Sequence, residues 1–258
     1  MIIDTHTHYH HRRFDSDRNT VLENIYNAGV SKIIEVPISY ESNEDVISLS
    51  VKYPWVFHAV GIHPNQTVLH EKGEMDILIE CIKSYAAKNG AAAVGEIGLD
   101  YKRVQEEKLQ AYQREWFARF IELASELDKP MILHVREAAA DALDILRSFR
   151  RSFSGVVHCF SEDYDISRQY MDMGFAIGVG GSLTYGTSEN VRDAVKKVPA
   201  DMILLETDAP FLTPAGCTGK NTSCSIPTVV SVLAQIRREE CGDIIRQTAK
   251  NAERIFGI

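Results

Sequence analysis

The sequence predicts a single-domain (β/α)8 barrel over residues 1–258. Eight short segments rich in β-branched and other apolar residues recur with a mean spacing of about 29 residues, close to the ~30 residues of a strand, crossover helix and loop. Segments with helical periodicity lie between them, and no Pro/Ser-rich linker divides the chain. This pattern favours a closed barrel, which uses roughly 250 residues for one domain, over an open doubly wound sheet.

The predicted strands and helices alternate along the whole chain. The clearest helix has apolar residues three or four positions apart from Leu109 to Leu127, and Pro130 follows it. The stretch 226–256 repeats this periodicity, and Pro227 suits the first turn of a helix. The predicted strands are 2–6, 32–38, 56–62, 91–97, 131–135, 155–159, 175–179 and 202–207.

Composition and charge exclude several classes of protein. A hydrophobic content of 45% with 25% charged residues is typical of a globular protein rather than a disordered or fibrous one. No apolar run approaches the roughly 18 residues that span a bilayer, and the first residues lack a signal region, so we expect no membrane association and a cytoplasmic location. The net charge of −8 disfavours a processive nucleic-acid clamp, although bound cations would still admit a phosphate substrate.

The sequence gives little support for disulfides, a structural zinc site, a base-stacking platform or an obligate protein partner. The five cysteines contain no C-x-x-C pair and read as reduced thiols rather than as disulfides or a zinc knuckle. Trp55 and Trp116 are too far apart in the sequence to form a base-stacking platform. No repeat, tail or interaction segment indicates an obligate protein partner. His58 and His70 are interpreted as structural.

Ionisable residues gather where the predicted strands end. His6 and His8 lie two positions apart at the end of the first strand, so their imidazoles share one face. Such a pair alone is a weak signal, but four further strands each contribute a histidine or a carboxylate. A polar side chain in an apolar strand is unfavourable unless it has a partner, so these residues are expected to interact. The converging residues are His6, His8, Glu96, His134, His158 and Asp208.

This set of side chains predicts a binuclear metal centre. The carboxyl ends of barrel strands meet at one rim, so six residues distant in sequence can be brought together there. Imidazoles suit zinc and related ions, and a carboxylate can bridge two cations. We therefore expect two divalent metal cations as cofactors. The residue types do not distinguish between Mg, Mn and Zn.

At these residues the chain resembles the TatD family of metal-dependent deoxyribonucleases, within the amidohydrolase-type barrels. The resemblance runs nearly end to end. It rests on residues 2–8 (IIDTHTH), 61–64 (GIHP), 95–101 (GEIGLDY), 133–136 (LHVR), 157–161 (VHCFS) and 205–210 (LETDAP). The glutamate of GEI, where many amidohydrolases place a carbamylated lysine, separates the chain from dihydroorotase-like enzymes.

The resemblance implies a ligand assignment and an activity. One cation would be held by His6, His8, Glu96 and Asp208, and the other by Glu96, His134 and His158, with Glu96 as the bridge. The implied reaction is hydrolysis of DNA phosphodiester bonds by a two-metal-activated water. Glu96 and Asp208 would be the catalytic residues, Asp208 accepting the proton of that water or acting as a ligand only.

Substrate contacts are predicted at three positions, and two of them have an alternative. His63 and Arg136 are expected to hold phosphate oxygens, although Arg136 could instead be a buried partner of Glu206. Tyr101, with Lys102, is expected at the mouth of the site or at its rim. DNA is the expected substrate, as single strands or ends, because a barrel mouth admits a splayed strand more easily than a duplex.

Two departures from the family pattern leave alternatives open. His10 occupies a position where an acidic or amide residue is common, so it is interpreted either as an extra ligand or as a solvated loop histidine. The loop 219–224 lacks an arginine of the usual basic pattern, which weakens a phosphate contact there. The same ligands would also serve hydrolysis of a lactone, cyclic amide or aminoacyl ester, and a noncatalytic metal-holding protein is the third alternative.

Overall fold

The computed structural model describes all 258 residues except the side chains of residues 88 and 89. Eight parallel strands follow one another around a single sheet in chain order, which confirms the predicted barrel. The strands are β1 Ile2–Thr7, β2 Val30–Glu35, β3 Val56–Val60, β4 Ala93–Asp100, β5 Met131–Arg136, β6 Gly155–Val157, β7 Phe175–Val179 and β8 Ile203–Leu205.

Helices follow the strands and cover the outside of the sheet. They are α1 Arg18–Asn27, α2 Ser42–Lys52, α3 Pro64–Thr67, α4 Met75–Asn89, α5 Glu107–Glu126, α6 Ala139–Ser148, α7 Tyr164–Asp172, α8 Glu189–Lys197, α9 Ile226–Arg237 and α10 Cys241–Phe256. The middle of the predicted stripe of α5 is buried, with Trp116, Phe120 and Leu123 at most 2% exposed, whereas its ends, Leu109 and Leu127, are partly exposed. Pro227 lies in the first turn of α9, as its fixed φ angle favours.

Four strands, β2, β3, β6 and β8, are shorter than predicted, and the last two differences bear on the site. β6 and β8 have three residues each, so His158 and Asp208 follow their strands, whereas Glu96 lies within β4 rather than after it. Cys159 and Asp208 have φ angles of 46° and 58°, a left-handed conformation that ends the extended ladder. The chain therefore turns at the rim where its ionisable side chains are presented.

Hydrogen bonds between side chains and backbone close the seam between β1 and β8. Thr7 and Ala209 form a parallel bridge beyond the end of β8. The buried Asp4 carboxylate accepts from the Thr207 backbone N–H at 3.0 Å, from the Thr207 hydroxyl at 2.7 Å and from the Ser223 hydroxyl at 2.6 Å. Because these donors satisfy the buried carboxylate, the first and last strands are held together at the height of the rim.

An apolar cluster fills the barrel near the starts of the strands. Every strand contributes to it, and most contributors are among the first two residues of their strand. Helix α10 adds Ala249, Ala252, Ile255 and Phe256 to the same cluster, so it covers this end of the barrel. The strand members are Ile3, Ile34, Ala59, Ala93, Ile132, Val156, Ala176 and Leu204.

Among the residues that the structure describes, none of the helices is both long and apolar enough to traverse a bilayer.

His58 of β3 is buried away from the rim. It is 3% exposed, and its Nε2 atom has no hydrogen-bond partner. Burial, with a small contribution from the charge of Lys129, lowers the pKa of His58 from 6.5 to about 4. The folded protein thus keeps His58 neutral where an unfolded chain would protonate it.

We expect His58→Phe to reduce the acid sensitivity of folding. Between pH 6.5 and pH 4 the unfolded chain binds a proton at this position and the folded chain does not, so stability falls as the pH falls through this window. The variant should therefore lose about 2 kcal/mol less unfolding free energy than wild type between pH 7.5 and pH 5 in urea titrations. His70→Phe, at a partly exposed histidine, is the control. Equal pH dependence of wild type and His58→Phe would contradict this account.

Candidate metal centre

The carboxylate of Glu96 lies at the centre of the rim and is surrounded by imidazoles. Glu96 is 2% exposed on β4, and five histidines from different strands and loops point toward it. The nitrogen to carboxylate oxygen distances are 3.4 Å for His6, 3.9 Å for His8, 3.7 Å for His63, 2.7 Å for His134 and 3.6 Å for His158.

Asp208 completes this cluster on the side of β1. Its Oδ1 atom lies 3.1 Å from His8 Nε2 and 3.7 Å from His6 Nε2. With a side chain 15% exposed, Asp208 is more open to solvent than the buried Glu96. The structure thus brings together all six side chains that the sequence analysis selected as ligands, and it adds His63 to their immediate surroundings.

Neighbouring groups fix the orientation of the imidazole rings. His8 Nδ1 donates to the Val36 carbonyl at 2.7 Å, which leaves the lone pair on Nε2 in the neutral ring. His158 Nδ1 lies 3.0 Å from Glu206 Oε1, and Nε2 of the same ring faces Glu96. Such partners on the far side of a histidine ring are a usual support of metal-binding imidazoles.

Asp100 is a site residue that the sequence analysis did not select. Its Oδ2 atom lies 3.3 Å from His134 Nε2 and accepts from the Asn65 side-chain amide at 2.9 Å. Asp100 could have been found from its position at the carboxyl end of β4, four residues after Glu96. That position does not show which ring Asp100 contacts.

The electrostatics of the cluster favour an ionised carboxylate. Burial alone would raise the pKa of Glu96, but the adjacent histidines, His63 and His6 foremost, hold it well below its usual range. Burial lowers the pKa of His158, yet the charge of the adjacent Glu206, with those of Glu96 and Asp208, outweighs burial and raises the pKa to about 10. In the absence of another cation, protons on the imidazoles supply the positive charge that balances these carboxylates.

The donor set fits divalent metal ions. His6 Nε2 and His8 Nε2 lie only 3.2 Å apart, so a proton or a cation must separate their lone pairs. Two triads, His6–Glu96–His158 and His6–His8–Asp208, each have their ligand atoms within 4.8 Å of one another. Imidazole nitrogens combined with carboxylate oxygens suit zinc, manganese and related ions.

The side chain of His10 is only 5% exposed beside the centre, so its interpretation as a solvated loop residue is wrong. Its Nδ1 atom lies 2.8 Å from Glu35 Oε1, which also accepts from the His10 backbone N–H at 2.7 Å. The Thr7 hydroxyl donates to the other oxygen of Glu35 at 2.8 Å. Within the described part of the chain, the grouped ligand atoms do not include those of His10.

A cavity of about 960 Å³ opens over the cluster, and both His63 and Arg136 line it. The interpretation of Arg136 as a buried partner of Glu206 is wrong, because Arg136 is exposed and Glu206 instead lies against His158 and accepts from the Cys159 backbone N–H at 2.7 Å. His63 Nδ1 accepts from the Asn65 backbone N–H at 3.0 Å, so the neutral ring presents Nε2–H to the site.

The other predicted contacts are engaged in interactions of their own. Tyr101 donates to Asp141 at 2.6 Å, and Lys102 pairs with Glu137 at 2.8 Å. Neither Tyr101 nor Lys102 is among the described residues that line the cavity. A substrate contact by Tyr101 stays a prediction. In the loop after β8, Lys220 pairs with Asp17 at 2.5 Å and is not directed at the cluster.

Comparison with known proteins gives the family. The sequence model described as TatD related DNase matches residues 3–257. The chain belongs to the TatD family of metal-dependent hydrolases. This confirms the resemblance seen in the sequence motifs.

Relatives of this TatD-family chain match over most or all of its length. YabD of Bacillus subtilis (strain 168), named an uncharacterized metal-dependent hydrolase, is 31% identical over 260 residues, which cover 100% of both chains. YcfH of Escherichia coli (strain K12), named in the same way, is 36% identical over 205 residues, covering 79% of this chain and 74% of YcfH. The crystal structure of the TatD homologue YjjV from Escherichia coli K12 superposes with a TM-score of 0.89 at 30% identity, covering 100% of this chain and 98% of that one.

We expect Glu96→Gln to reduce the metal content of the purified protein severalfold or more. The substitution preserves size but removes the central negative charge that five imidazoles face. Elemental analysis after loading and desalting measures the change, and circular dichroism checks the fold. Glu41→Gln, at an exposed carboxylate outside the cluster, should retain wild-type content. Equal metal content in both variants would exclude Glu96 as a ligand.

Proposed function

We propose that this TatD-family chain is a divalent-metal-dependent deoxyribonuclease that cleaves DNA phosphodiester bonds in single strands or at ends. The observation that carries the proposal is the charge of the cavity wall. Arg13, Arg103 and Arg136 line the cavity and are exposed, and among the described residues none of them forms an ion pair with a carboxylate. In a protein of net charge −8, three unpaired guanidinium groups beside a histidine–carboxylate cluster favour an anionic substrate.

The family supports the metal-dependent part of this proposal. In the proposed assignment, His6, His8, Glu96 and Asp208 hold one cation, and Glu96, His134 and His158 hold a second. Divalent cations in such a site supply positive charge to the phosphoryl oxygens and lower the pKa of a water molecule toward neutrality. His8 is prepared for this role because its Nδ1 proton is already used on the Val36 carbonyl.

The side chains around the cavity divide the remaining tasks. Asp208 is the proposed acceptor of the proton from the attacking water, because it is the carboxylate of the six-residue set that is most open to the cavity. His63 presents Nε2–H to a phosphate oxygen. Arg136, at the end of β5, and Arg103, in the loop after the neighbouring β4, bind the oxygens of the scissile or an adjacent phosphate.

The activity is tested with end-labelled single-stranded oligonucleotides and metal-loaded protein. We expect shortened products with magnesium, manganese or zinc, and Glu96→Ala should lower the rate at least a hundredfold, because it removes the carboxylate shared by both proposed cation sites. A panel of lactones, cyclic amides and aminoacyl esters is assayed in parallel. Turnover of that panel with intact DNA would replace this proposal by carbonyl hydrolysis.

We expect Arg136→Gln to raise KM for oligonucleotides roughly tenfold, the effect of losing one charge-assisted phosphate contact. Its guanidinium is exposed at the cavity and has no carboxylate partner in the described structure, so the change should not affect the thermal stability. Steady-state kinetics and a melting curve measure both effects. Arg168→Gln, outside the described cavity lining, is the matched control. An unchanged KM would remove Arg136 from the substrate contacts.

A further inference from the structure

An aromatic ring and a guanidinium group are paired on the cavity wall formed by the loops after β1 and β8. The guanidinium carbon of Arg13 lies over the ring of Phe211, 5.4 Å from its centroid. Both residues line the cavity, and Arg13 is exposed without an ion pair in the described part of the chain. The pair thus offers planar, polarisable surface to a bound molecule rather than filling the core.

Two consecutive residues of one loop hold this pair in place. Lys220 Nζ donates to the Arg13 carbonyl at 3.0 Å and is itself anchored by Asp17. Asn221, 2% exposed, donates its side-chain amide to the Phe211 carbonyl at 2.8 Å. Because one loop fixes the backbone on both sides of the stack, the stacking surface is formed before a ligand arrives.

The pair adjoins the proposed metal ligands. The Phe211 backbone N–H donates to the Asp208 carbonyl at 2.7 Å, so the ring follows Asp208 by one tight turn. Its centroid lies 6.0 Å from that of His8. A planar group stacked against Phe211 or Arg13 would lie within one nucleotide unit of the histidine–carboxylate cluster.

The charged side of the cavity lies across the barrel from this pair. The strands run around the barrel in chain order, so the loops after β8 and β1 are opposite those after β4 and β5. Arg103 lies in the loop after β4, and Arg136 is the last residue of β5. A ligand with a planar end and an anionic backbone would therefore extend across the cluster from one wall to the other.

We propose that Phe211 and Arg13 form a subsite for the nucleobase of the nucleotide next to the scissile phosphate. This inference rests on the proposed cleavage of DNA. Every base has a π face, so stacking on a ring and a guanidinium accepts all four bases without reading sequence. The subsite distinguishes a nucleotide from an anionic substrate that lacks a base.

The test compares oligonucleotides that carry either a normal base or a base-free tetrahydrofuran residue at the terminal position, with both ends examined. For the metal-loaded wild type we expect kcat/KM to be about tenfold higher with the base present, as stacking on one aromatic side chain implies. Phe211→Leu should reduce this ratio toward one, and Phe211→Trp should retain it. Trp55→Leu, at an aromatic residue outside the described cavity lining, should keep the wild-type ratio.

A binding measurement separates the subsite from the activity. Fluorescence of 2-aminopurine deoxynucleoside monophosphate should be quenched on binding to the wild type and to Phe211→Trp, but much less by Phe211→Leu. Cleavage of DNA with equal rates for base-bearing and base-free ends would overturn the subsite and leave the proposed nuclease intact. Quenching without cleavage of any oligonucleotide would overturn the nuclease and the position next to a scissile phosphate, and would retain only a nucleobase-binding site at Phe211 and Arg13. Equal quenching by wild type and Phe211→Leu would overturn the subsite.

Discussion

The buried carboxylate of Glu96 sets the constraint on which the rim of this barrel depends. A carboxylate that is 2% exposed is costly to ionise unless positive charge or donors surround it, and here five imidazoles do so. His6 and His8 come from the end of β1, and the other three histidines come from three other strands or the segments that follow them. All five therefore surround the carboxylate only when the barrel is closed. The charge of the Glu96 carboxylate is therefore balanced only by the complete barrel.

The supporting residues show how the fold keeps the imidazoles oriented. Val36, Asp100 and Glu206 each approach a different histidine from its far side. Two of these three partners, Asp100 and Glu206, are buried carboxylates. The histidines therefore lie between Glu96 on one side and a second group of charged residues on the other. Such a network resists ring rotation, and it makes the geometry of the site a property of the barrel rather than of mobile loops.

The barrel could be predicted from the regular spacing of the strands, and the central cluster from the residues at their carboxyl ends. Parallel strands of one barrel present their carboxyl ends at one rim, so histidines and acids placed there must converge whatever their exact bounds. The contacts of Tyr101 with Asp141 and of His10 with Glu35 are instead lateral ones, which no periodicity encodes. Periodicity also does not show that Arg136 is exposed rather than paired with Glu206. The lengths of β6 and β8 were overestimated because left-handed residues that end a strand have no hydropathy signature.

The position of α10 has a consequence for how the molecule is made. The last helix supplies four side chains to the apolar cluster at the base of the barrel, the end of β1 opposite the rim. If α10 were not docked, the base of β1, the strand that carries His6, would lack its apolar cover. The histidine–carboxylate rim therefore depends on a helix that packs at the opposite end of the barrel, and its geometry is complete only once both ends of the barrel have folded.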